Sequence, residues 1–195
     1  MIKPSLISPS CRLKPLRNYV LKLVSDRVPI KLPDPMKFNN KDQFMQINTA
    51  LFGTQEINDN DVITFPQGIP GFENNTQFKV FHEEGKPTVH WLQSVEDPEL
   101  SFSVMEPQLL KLGYEFILDD TQCQLIDLQE GDDFAVVVML YKQEGDLAQP
   151  GEQVPAYQAI RANLVAPVVI NVRSRKALQA VLPKTERITV IRSVQ

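Results

Sequence analysis

The sequence predicts a mainly β protein, a small antiparallel β-barrel-like domain with one short α-helix. From residue 45 onwards, short runs rich in β-branched and aromatic residues recur, and turn-forming residues separate them. Only residues 120–128 have the pattern of a helix. Many short strands with a single helix are typical of a closed or nearly closed antiparallel barrel.

Residues 1–44 differ from the rest of the chain in charge and in proline content. They contain nine Lys or Arg against three Asp or Glu, a balance of +6, whereas residues 45–195 contain eleven against twenty-one, a balance of −10. Six prolines interrupt every helical window in the first segment, and no alternation of apolar and polar residues lasts. We therefore predict a basic, poorly ordered extension over residues 1–44 and one β-barrel-like domain over residues 45–195.

The first half of the domain predicts an antiparallel meander. Residues 45–57 alternate apolar with polar side chains, as a strand does, and Phe52-Gly53 indicates a turn or bulge within them. Further strands are expected, in chain order, over residues 62–65, 78–82, 88–95 and 100–105.

The second half predicts one helix between strands. The helix begins with Asp-Asp-Thr, a capping signal, and places Cys123, Leu125 and Ile126 toward one side. The most apolar run, residues 134–142, predicts a central strand, and a polar loop follows it at residues 143–153. The other strands are expected over residues 114–118, 157–167, 168–173, 177–182 and 187–192.

The stretch FPQGIPGFE, residues 65–73, predicts two tight turns. Proline presets φ at the second position of a turn, and glycine accepts the positive φ that a type II turn needs. We expect Phe65 and Phe72 to anchor this corner inward. The stretch lacks the Lys-Ser/Thr and the helix of a phosphate-binding loop. It is either a rigid corner or, through Pro70, Gly71 and Phe72, a preorganised edge for a partner.

The residue types of common catalytic and metal sites are sparse. His82 and His90 are the only histidines, each within or at the end of a strand, and a zinc site needs three or four ligands. No serine stands in a GxSxG motif. Cys11 and Cys123 are far apart, so no disulfide framework is indicated. We expect no catalytic residue, no metal and no cofactor, and we expect Trp91 to be a core residue.

Seven carboxylates lie in sequence around the predicted helix. They are Glu115, Asp119, Asp120, Asp127, Glu130, Asp132 and Asp133. Such a cluster is either a solvated face with Asp at a helix start or an acidic docking surface for a basic partner. In the second interpretation the candidate partner-binding residues are Asp120, Asp127, Asp132 and Asp133. An acidic domain also argues against nucleic acid as a direct ligand.

The sequence predicts neither a membrane span nor a secretory signal. No run approaches the roughly 18 apolar residues that a membrane helix requires. The apolar patch near the start is short and interrupted by Lys22, so a signal peptide is not indicated. We therefore expect a cytoplasmic protein without a membrane partner.

Three separated motifs resemble those of the FliW family of flagellar assembly factors. They are FPQGIPGFE, HWLQSVEDPELSFSV and NLVAPVVINVRSRKALQAVL, and they occur in the order and spacing of that family. The resemblance covers about residues 45–195. The loop at residues 143–153 is longer than we expect for the family, and the turn at residues 173–176 reads as a hairpin connection whose basic side chains stay in water.

The resemblance implies an interaction protein that is not an enzyme. Proteins similar to FliW bind flagellin in the cytosol and also bind CsrA, a basic RNA-binding repressor of flagellin translation. Flagellin export then releases the FliW-like protein to inhibit CsrA. The alternative is a small-molecule-binding β-barrel, with or without enzymatic activity. A large apolar pocket would favour that alternative, and a filled interior with an acidic outer patch would favour the interaction protein.

Overall fold

The described part of the chain forms twelve strands and one α-helix. The computed structural model describes residues 19–23, 44–83, 86–110, 114–142 and 160–182. The strands are β1 (Tyr19–Leu23), β2 (Phe44–Thr49), β3 (Gly53–Asn58), β4 (Val62–Thr64), β5 (Gln77–Glu83), β6 (Lys86–Ser94), β7 (Ser101–Met105), β8 (Tyr114–Leu118), β9 (Phe134–Lys142), β10 (Ile160–Ala162), β11 (Val168–Asn171) and β12 (Ala177–Gln179). The helix α1 is Asp120–Leu125, and short 3-10 helices span Asp59–Asp61 and Pro107–Leu110.

The main sheet has eight strands arranged around β9. Seven strands follow the order β12-β11-β9-β7-β6-β5-β4, with antiparallel neighbours, and β10 pairs with the far end of β9. β9 pairs with β11 over its first half and with β7 at Val138 and Met139. The run FAVVVMLYK therefore forms the predicted central strand.

The main sheet closes on itself almost completely. The Thr64 backbone N–H, at the end of β4, donates a hydrogen bond to the carbonyl of Arg175 (2.9 Å), just before β12. A parallel bridge joins Thr64 to Lys176. These contacts bring the two ends of the strand order together, so the predicted barrel-like antiparallel fold with one helix is confirmed.

One face of the closed sheet packs into an apolar interior. The strand registers place alternate residues of β5, β6, β7, β9, β11 and β12 on this face. The buried side chains of this interior are Ile63, Phe65, Ile69, Phe78, Leu92, Val104, Ala135, Val137, Val168, Ile170 and Ala177. The barrel is therefore filled by its own side chains.

A second apolar cluster covers the outside of the barrel at β9, β11 and β12. Phe116 and Leu118 of β8 and the residues that follow them pack against the opposite face of these strands. The cluster consists of Phe116, Leu118, Cys123, Ile126, Leu128, Val136, Val169, Leu178 and Ala180. Because β9 is covered on both faces, its sequence is a continuous apolar run instead of an alternating one.

The hairpin β2–β3 packs on the outside of β5 and β6. At its tip, Phe52 stacks on Phe81 (ring centroids 5.1 Å apart) and meets Trp91 edge-on at 6.5 Å. Gly53 has a φ of 67° at the start of β3, so the turn predicted at Phe52-Gly53 is confirmed. Trp91 is half-buried in this contact; it does not lie in the barrel interior.

The helix is shorter than predicted because a Schellman motif ends it. The Leu128 N–H donates to the Cys123 carbonyl (2.8 Å), and the Asp127 N–H donates to the Gln124 carbonyl (3.2 Å). Asp127 has a φ of 52°, in the left-handed conformation that glycine normally supplies at this position. Residues 126–128 therefore lie beyond α1, in the loop that leads to β9.

The first strand lies within the segment predicted to be an extension. We predicted a poorly ordered extension over residues 1–44, and within this segment the backbone of Tyr19–Leu23 pairs antiparallel with β8. β2 begins at Phe44, next to the predicted domain boundary. The polar loop at residues 143–153 and the strand expected at residues 187–192 lie outside the described residues.

Candidate functional site

The second turn of FPQGIPGFE is a type II turn. The Phe72 N–H donates to the carbonyl of Ile69 (2.7 Å), with Pro70 and Gly71 at the two central positions. Gly71 has a φ of 87°, as the third position of such a turn requires. The Glu73 carboxylate accepts a hydrogen bond from the Gly71 N–H (2.8 Å), and this bond lowers the pKa of Glu73. The turn predicted here is confirmed.

The first turn requires glycine for a different reason. The Gly68 N–H donates to the carbonyl of Phe65 (2.9 Å), so Gly68 is the fourth residue of this turn, after Pro66 and Gln67. Its φ is 69°. A Cβ at this position would lie 2.5 Å from the Cα of Glu73 and 2.7 Å from its carbonyl oxygen. The two turns are folded against each other here, and only glycine leaves room.

The two phenylalanines of the corner have different environments. Phe65 is fully buried and meets Phe78 edge-on, with ring centroids 5.1 Å apart. Phe72 is 41% exposed and touches Phe102 at its edge. The prediction that both anchor inward is right for Phe65 and wrong for Phe72, because Ile69 takes the buried position opposite Phe72 across the turn. Pro70, Gly71 and Phe72 therefore form an exposed edge.

A shallow cleft of about 220 Å³ lies between this corner, α1 and β12. Its lining residues are Gln67, Gly68, Pro70, Glu73, Leu125, Ala177, Leu178 and Gln179. The fold thus brings the corner and the predicted helix to the same concave surface. The volume lies below the roughly 300 Å³ at which small-molecule pockets usually begin.

The acidic stretch starts at a capped helix. The Asp119 Oδ1 accepts a hydrogen bond from the Gln122 N–H (2.8 Å), and the Gln122 Oε1 accepts one from the Asp119 N–H (3.0 Å). This reciprocal pair is a capping box. Asp120 occupies the first turn, where a negative charge favours the helix dipole. These two carboxylates therefore have the helix-start role that the sequence indicated.

Two carboxylates of the stretch form ion pairs with the turn before β12. Arg173 donates to Asp132 through Nε (2.8 Å) and Nη2 (2.9 Å), in a bidentate pair. The Lys176 ammonium lies 2.5 Å from Asp127 Oδ2. The side chains of Arg173 and Lys176 stay exposed to water, at 51% and 38%, as the sequence predicted. The prediction did not include their pairing with the acidic loop, which the fold places directly against them.

A buried asparagine connects the same two segments. The Asn171 side chain is fully buried, and its Nδ2 donates to the carbonyls of Ile126 (3.1 Å) and Asp127 (3.0 Å). It also donates to Asp132 Oδ2 (3.2 Å), and Ser174 Oγ donates to the Ile126 carbonyl (2.7 Å). The loop after α1 is therefore joined to the barrel by several hydrogen bonds from one turn.

This network changes the electrostatics of the acidic stretch. The hydrogen bonds from Arg173, and then those from Gln129 and Asn171, hold the pKa of Asp132 at about 2, well below its usual 3.8. Each of the two paired carboxylates is matched by a cation of the same chain. Of the other two candidate carboxylates, Asp133 is exposed and Asp120 is half-buried in the first turn of α1.

Cys123 is a core residue of the second apolar cluster. It is buried, and that burial, with the nearby charges of Asp120 and Asp119, raises the pKa of its thiol to about 11. A thiol with this pKa is almost entirely protonated at neutral pH and is a poor nucleophile. The structure gives Cys123 a packing role.

The two histidines face each other across β5 and β6. His82 and His90 are register partners, and burial together with the charge of His82 lowers the pKa of His90. Across the described ranges there is no group of three or more His, Cys, Asp or Glu side chains placed to hold a metal ion. No helix in these ranges is long and apolar enough to cross a membrane.

A single family model matches the barrel-like domain, including its three motifs. The family model described as FliW protein matches residues 46–192. The chain belongs to the FliW family. The matched range includes all three motifs on which the resemblance rested and begins close to the predicted domain boundary.

Two relatives show the same relationship over most of their own length. The chain is 40% identical over 139 residues to a flagellar assembly factor FliW of Azoarcus sp. (strain BH72), covering 71% of this chain and 91% of that protein. It is 36% identical over 137 residues to a flagellar assembly factor FliW of Chromobacterium violaceum, covering 69% and 91%. The predicted family is therefore confirmed.

A solved structure of the same family shares the fold. The crystal structure of a flagellar assembly factor FliW matches with a TM-score of 0.60 and 33% sequence identity, covering 72% of this chain and 91% of that chain. This chain is thus a flagellar assembly factor by family, with the barrel-like architecture of the solved FliW structure.

The residues that the sequence singled out fall on two surfaces. Pro70, Gly71 and Phe72 lie on the exposed corner beside the cleft, whereas Asp127 and Asp132 lie in the ion-pair network. Their role in partner binding stays a prediction. Sequence reasoning missed the network's partners on β11 and the following turn, although one signal was present: the basic run Arg173-Ser174-Arg175-Lys176 is the natural counterpart of an acidic loop.

Proposed function

We propose that this chain binds flagellin in the cytoplasm as its chaperone and antagonises a CsrA-like RNA-binding translational repressor. Binding of one partner in place of the other would couple flagellin export to flagellin synthesis. Membership of the FliW family is the observation that supports this most strongly. The chain acts here by binding proteins and carries out no chemical reaction.

The filled barrel interior favours protein binding over the small-molecule alternative. The described side chains of the interior are apolar and closely packed, and Phe65, Phe78 and Leu92 are fully buried. The cleft beside the corner is small and lined by both polar and apolar residues. A barrel that fills itself in this way has its recognition surfaces on the outside.

We assign the two surfaces to the two partners by their chemistry. The acidic surface around Asp120 and Asp133, in a domain with a balance of −10, complements the cationic surface that an RNA-binding protein presents. Asp127 and Asp132 contribute less, since Lys176 and Arg173 already neutralise them. The exposed edge at Pro70, Gly71 and Phe72, beside the cleft, suits an apolar helix of flagellin.

The experiment crosses two variants with two partners. Asp120→Asn/Asp133→Asn removes two negative charges from the acidic surface, and Phe72→Ala removes apolar area from the corner. Association and dissociation of each variant with purified flagellin and with purified CsrA-like repressor are measured by biolayer interferometry at low and high salt. Because charge acts chiefly on association, the double variant should bind the repressor several-fold more slowly at low salt and little differently at high salt.

The expected pattern is reciprocal. Phe72→Ala should speed dissociation of flagellin and leave repressor association within about twofold of wild type, because a corner contact acts through the off-rate. Failure of the wild-type chain to bind either partner would contradict the proposed function. Equal losses for both partners with both variants would contradict only the assignment of surfaces.

A further inference from the structure

The strand β1 lies outside the residues that the FliW family model matches. Its backbone pairs with the whole length of β8, from Tyr19 opposite Leu118 to Leu23 opposite Tyr114. Among the described strands these two form a sheet of their own, separate from the eight-stranded sheet of the barrel. β8 is thus an edge to which a strand from outside the core has been added.

One face of β8 packs on the barrel, and the backbone along one edge of β8 pairs with another strand. Phe116 and Leu118 are buried in the second apolar cluster, which fixes the strand on the barrel. Ile117 faces the opposite way and is 53% exposed. Without β1, the backbone N–H and C=O groups along this side of β8 would be an unpaired edge, which is a template for another extended segment.

The register defines the kind of segment that fits this edge. The sequence of β1, YVLKL, combines apolar residues with one cation. Leu21 is opposite Phe116, and Lys22 is opposite Glu115. Directly opposite pairs of unlike charge and of apolar residues stabilise antiparallel strands. An extended segment of apolar residues with a lysine or arginine at the position of Lys22 therefore matches the acceptor.

The range that the family model matches includes β8 but not β1, and in the Azoarcus relative little of the chain lies outside the aligned part. The family model begins at residue 46, downstream of β1, and includes β8. The aligned part makes up 91% of the Azoarcus relative, and the remaining tenth of that protein is too short to contain a counterpart of residues 1–43. The strand is an addition to the family core, placed on an edge that the core itself presents.

We propose that the edge of β8 is a strand-docking site and that β1 occupies it as an intramolecular competitor. A protein partner binds there through an extended segment of apolar residues with one lysine or arginine at the position of Lys22, and it does so only when β1 has left. Residues 24–43 connect β1 to β2, a length that reaches up to about 70 Å when extended, so β1 can leave without opening the barrel. Main-chain hydrogen bonds supply the affinity, and the positions of Glu115 and Phe116 supply the selectivity.

The test uses the full chain and a fluorescent peptide of residues 17–25, RNYVLKLVS. Successive backbone N–H groups of a strand point to opposite edges, so either residue 20 or residue 21 must direct its N–H toward β8. The variant Val20→Pro/Leu21→Pro lacks both N–H groups and therefore loses the one that faces β8. Fluorescence anisotropy should show that this variant binds the peptide at least tenfold more tightly than wild type. The matched control Leu6→Pro/Ile7→Pro adds two prolines to the same extension outside β1 and should behave as wild type.

A charge exchange tests the register. A peptide with Lys22→Glu should bind the proline variant several-fold more weakly, and Glu115→Lys in that variant should restore binding. Equal peptide binding by wild type and the proline variant would overturn the proposal, as would the absence of peptide binding by a folded proline variant.

Hydrogen exchange of the wild-type chain provides a test that needs no variant. Within residues 19–23, the alternate amides that face β8 should exchange more slowly than those of an unpaired segment. Fast exchange at every amide of residues 19–23 would overturn the proposal. A wild-type dimer in analytical ultracentrifugation that becomes monomeric in the proline variant would also overturn it, because β1 would then dock on a second copy.

Discussion

Gly68 and Gly71 allow one substitution to be compared at two positions three residues apart. Both have positive φ, 69° and 87°, so alanine at either position costs roughly 1–2 kcal/mol of backbone strain. The surroundings differ. An added Cβ at Gly71 meets no atom within 4 Å, whereas at Gly68 it would lie 2.5 Å from the Cα and 2.8 Å from the carbonyl carbon of Glu73.

At Gly68 the steric clash of the added Cβ lowers the free energy of unfolding further, in addition to the backbone strain. The atoms in the way belong to the backbone of Glu73, which cannot rotate aside as the end of a side chain would, so the turn must shift. Overpacking of this kind costs about 1–3 kcal/mol. We therefore expect Gly68→Ala to lower the free energy of unfolding by about 3 kcal/mol and Gly71→Ala by about 1 kcal/mol.

Equilibrium unfolding in guanidinium chloride measures both losses directly. For a domain of this size, the difference of about 2 kcal/mol also corresponds to a Tm about 4–8 °C lower for Gly68→Ala than for Gly71→Ala. Equal losses for the two variants, or a larger loss for Gly71→Ala, would refute the reasoning, because the two positions would then differ in nothing but the small difference in φ.

Three further substitutions test the ion-pair network and the hairpin. The pKa of Asp132 is lowered to about 2 in the folded chain, so its stabilisation is complete above about pH 4 and is lost as the pH falls toward 2. Arg173→Met should therefore destabilise the chain at neutral pH, with a difference from wild type in urea unfolding that shrinks below about pH 4. Asn171→Ala removes a buried side chain that donates to the Ile126 and Asp127 carbonyls and to Asp132, so it should cost about 2 kcal/mol in the same assay; a loss within experimental error would contradict the geometry. Phe52→Ala uncovers Trp91, so tryptophan fluorescence should shift to longer wavelength, and an unchanged spectrum would mean that the hairpin does not pack there.

Strands and turns were predictable from the sequence where the local residue pattern favours the same structure as the fold does. Residues 134–142 form a strand at the predicted bounds because a continuous apolar run of that length fits a strand covered on both faces. The type II turn at Pro70-Gly71 was also predictable, since proline and glycine encode its dihedral angles locally. The family motifs then identified the barrel-like fold as a whole.

The end of α1 and the strand β1 were not predictable from the local sequence. Asp127 ends the helix in a conformation that glycine normally supplies, and its side chain is paired with Lys176, 49 residues away in sequence. β1 lies among prolines that break every regular pattern, and it is a strand because β8 offers it an edge. Both features depend on partners that are distant along the chain.

The sequence by itself determined the local geometry and the chemistry available to this protein: its strands and turns, its lack of recognisable catalytic motifs, the acidic balance of the domain and its family. The tertiary structure decided which charges remain available for a partner. Arg173 and Lys176 meet Asp132 and Asp127 only because the turn before β12 folds against the loop after α1. Charge is a property of residues, whereas its neutralisation depends on distances of a few ångströms that only the packing of separate segments can set.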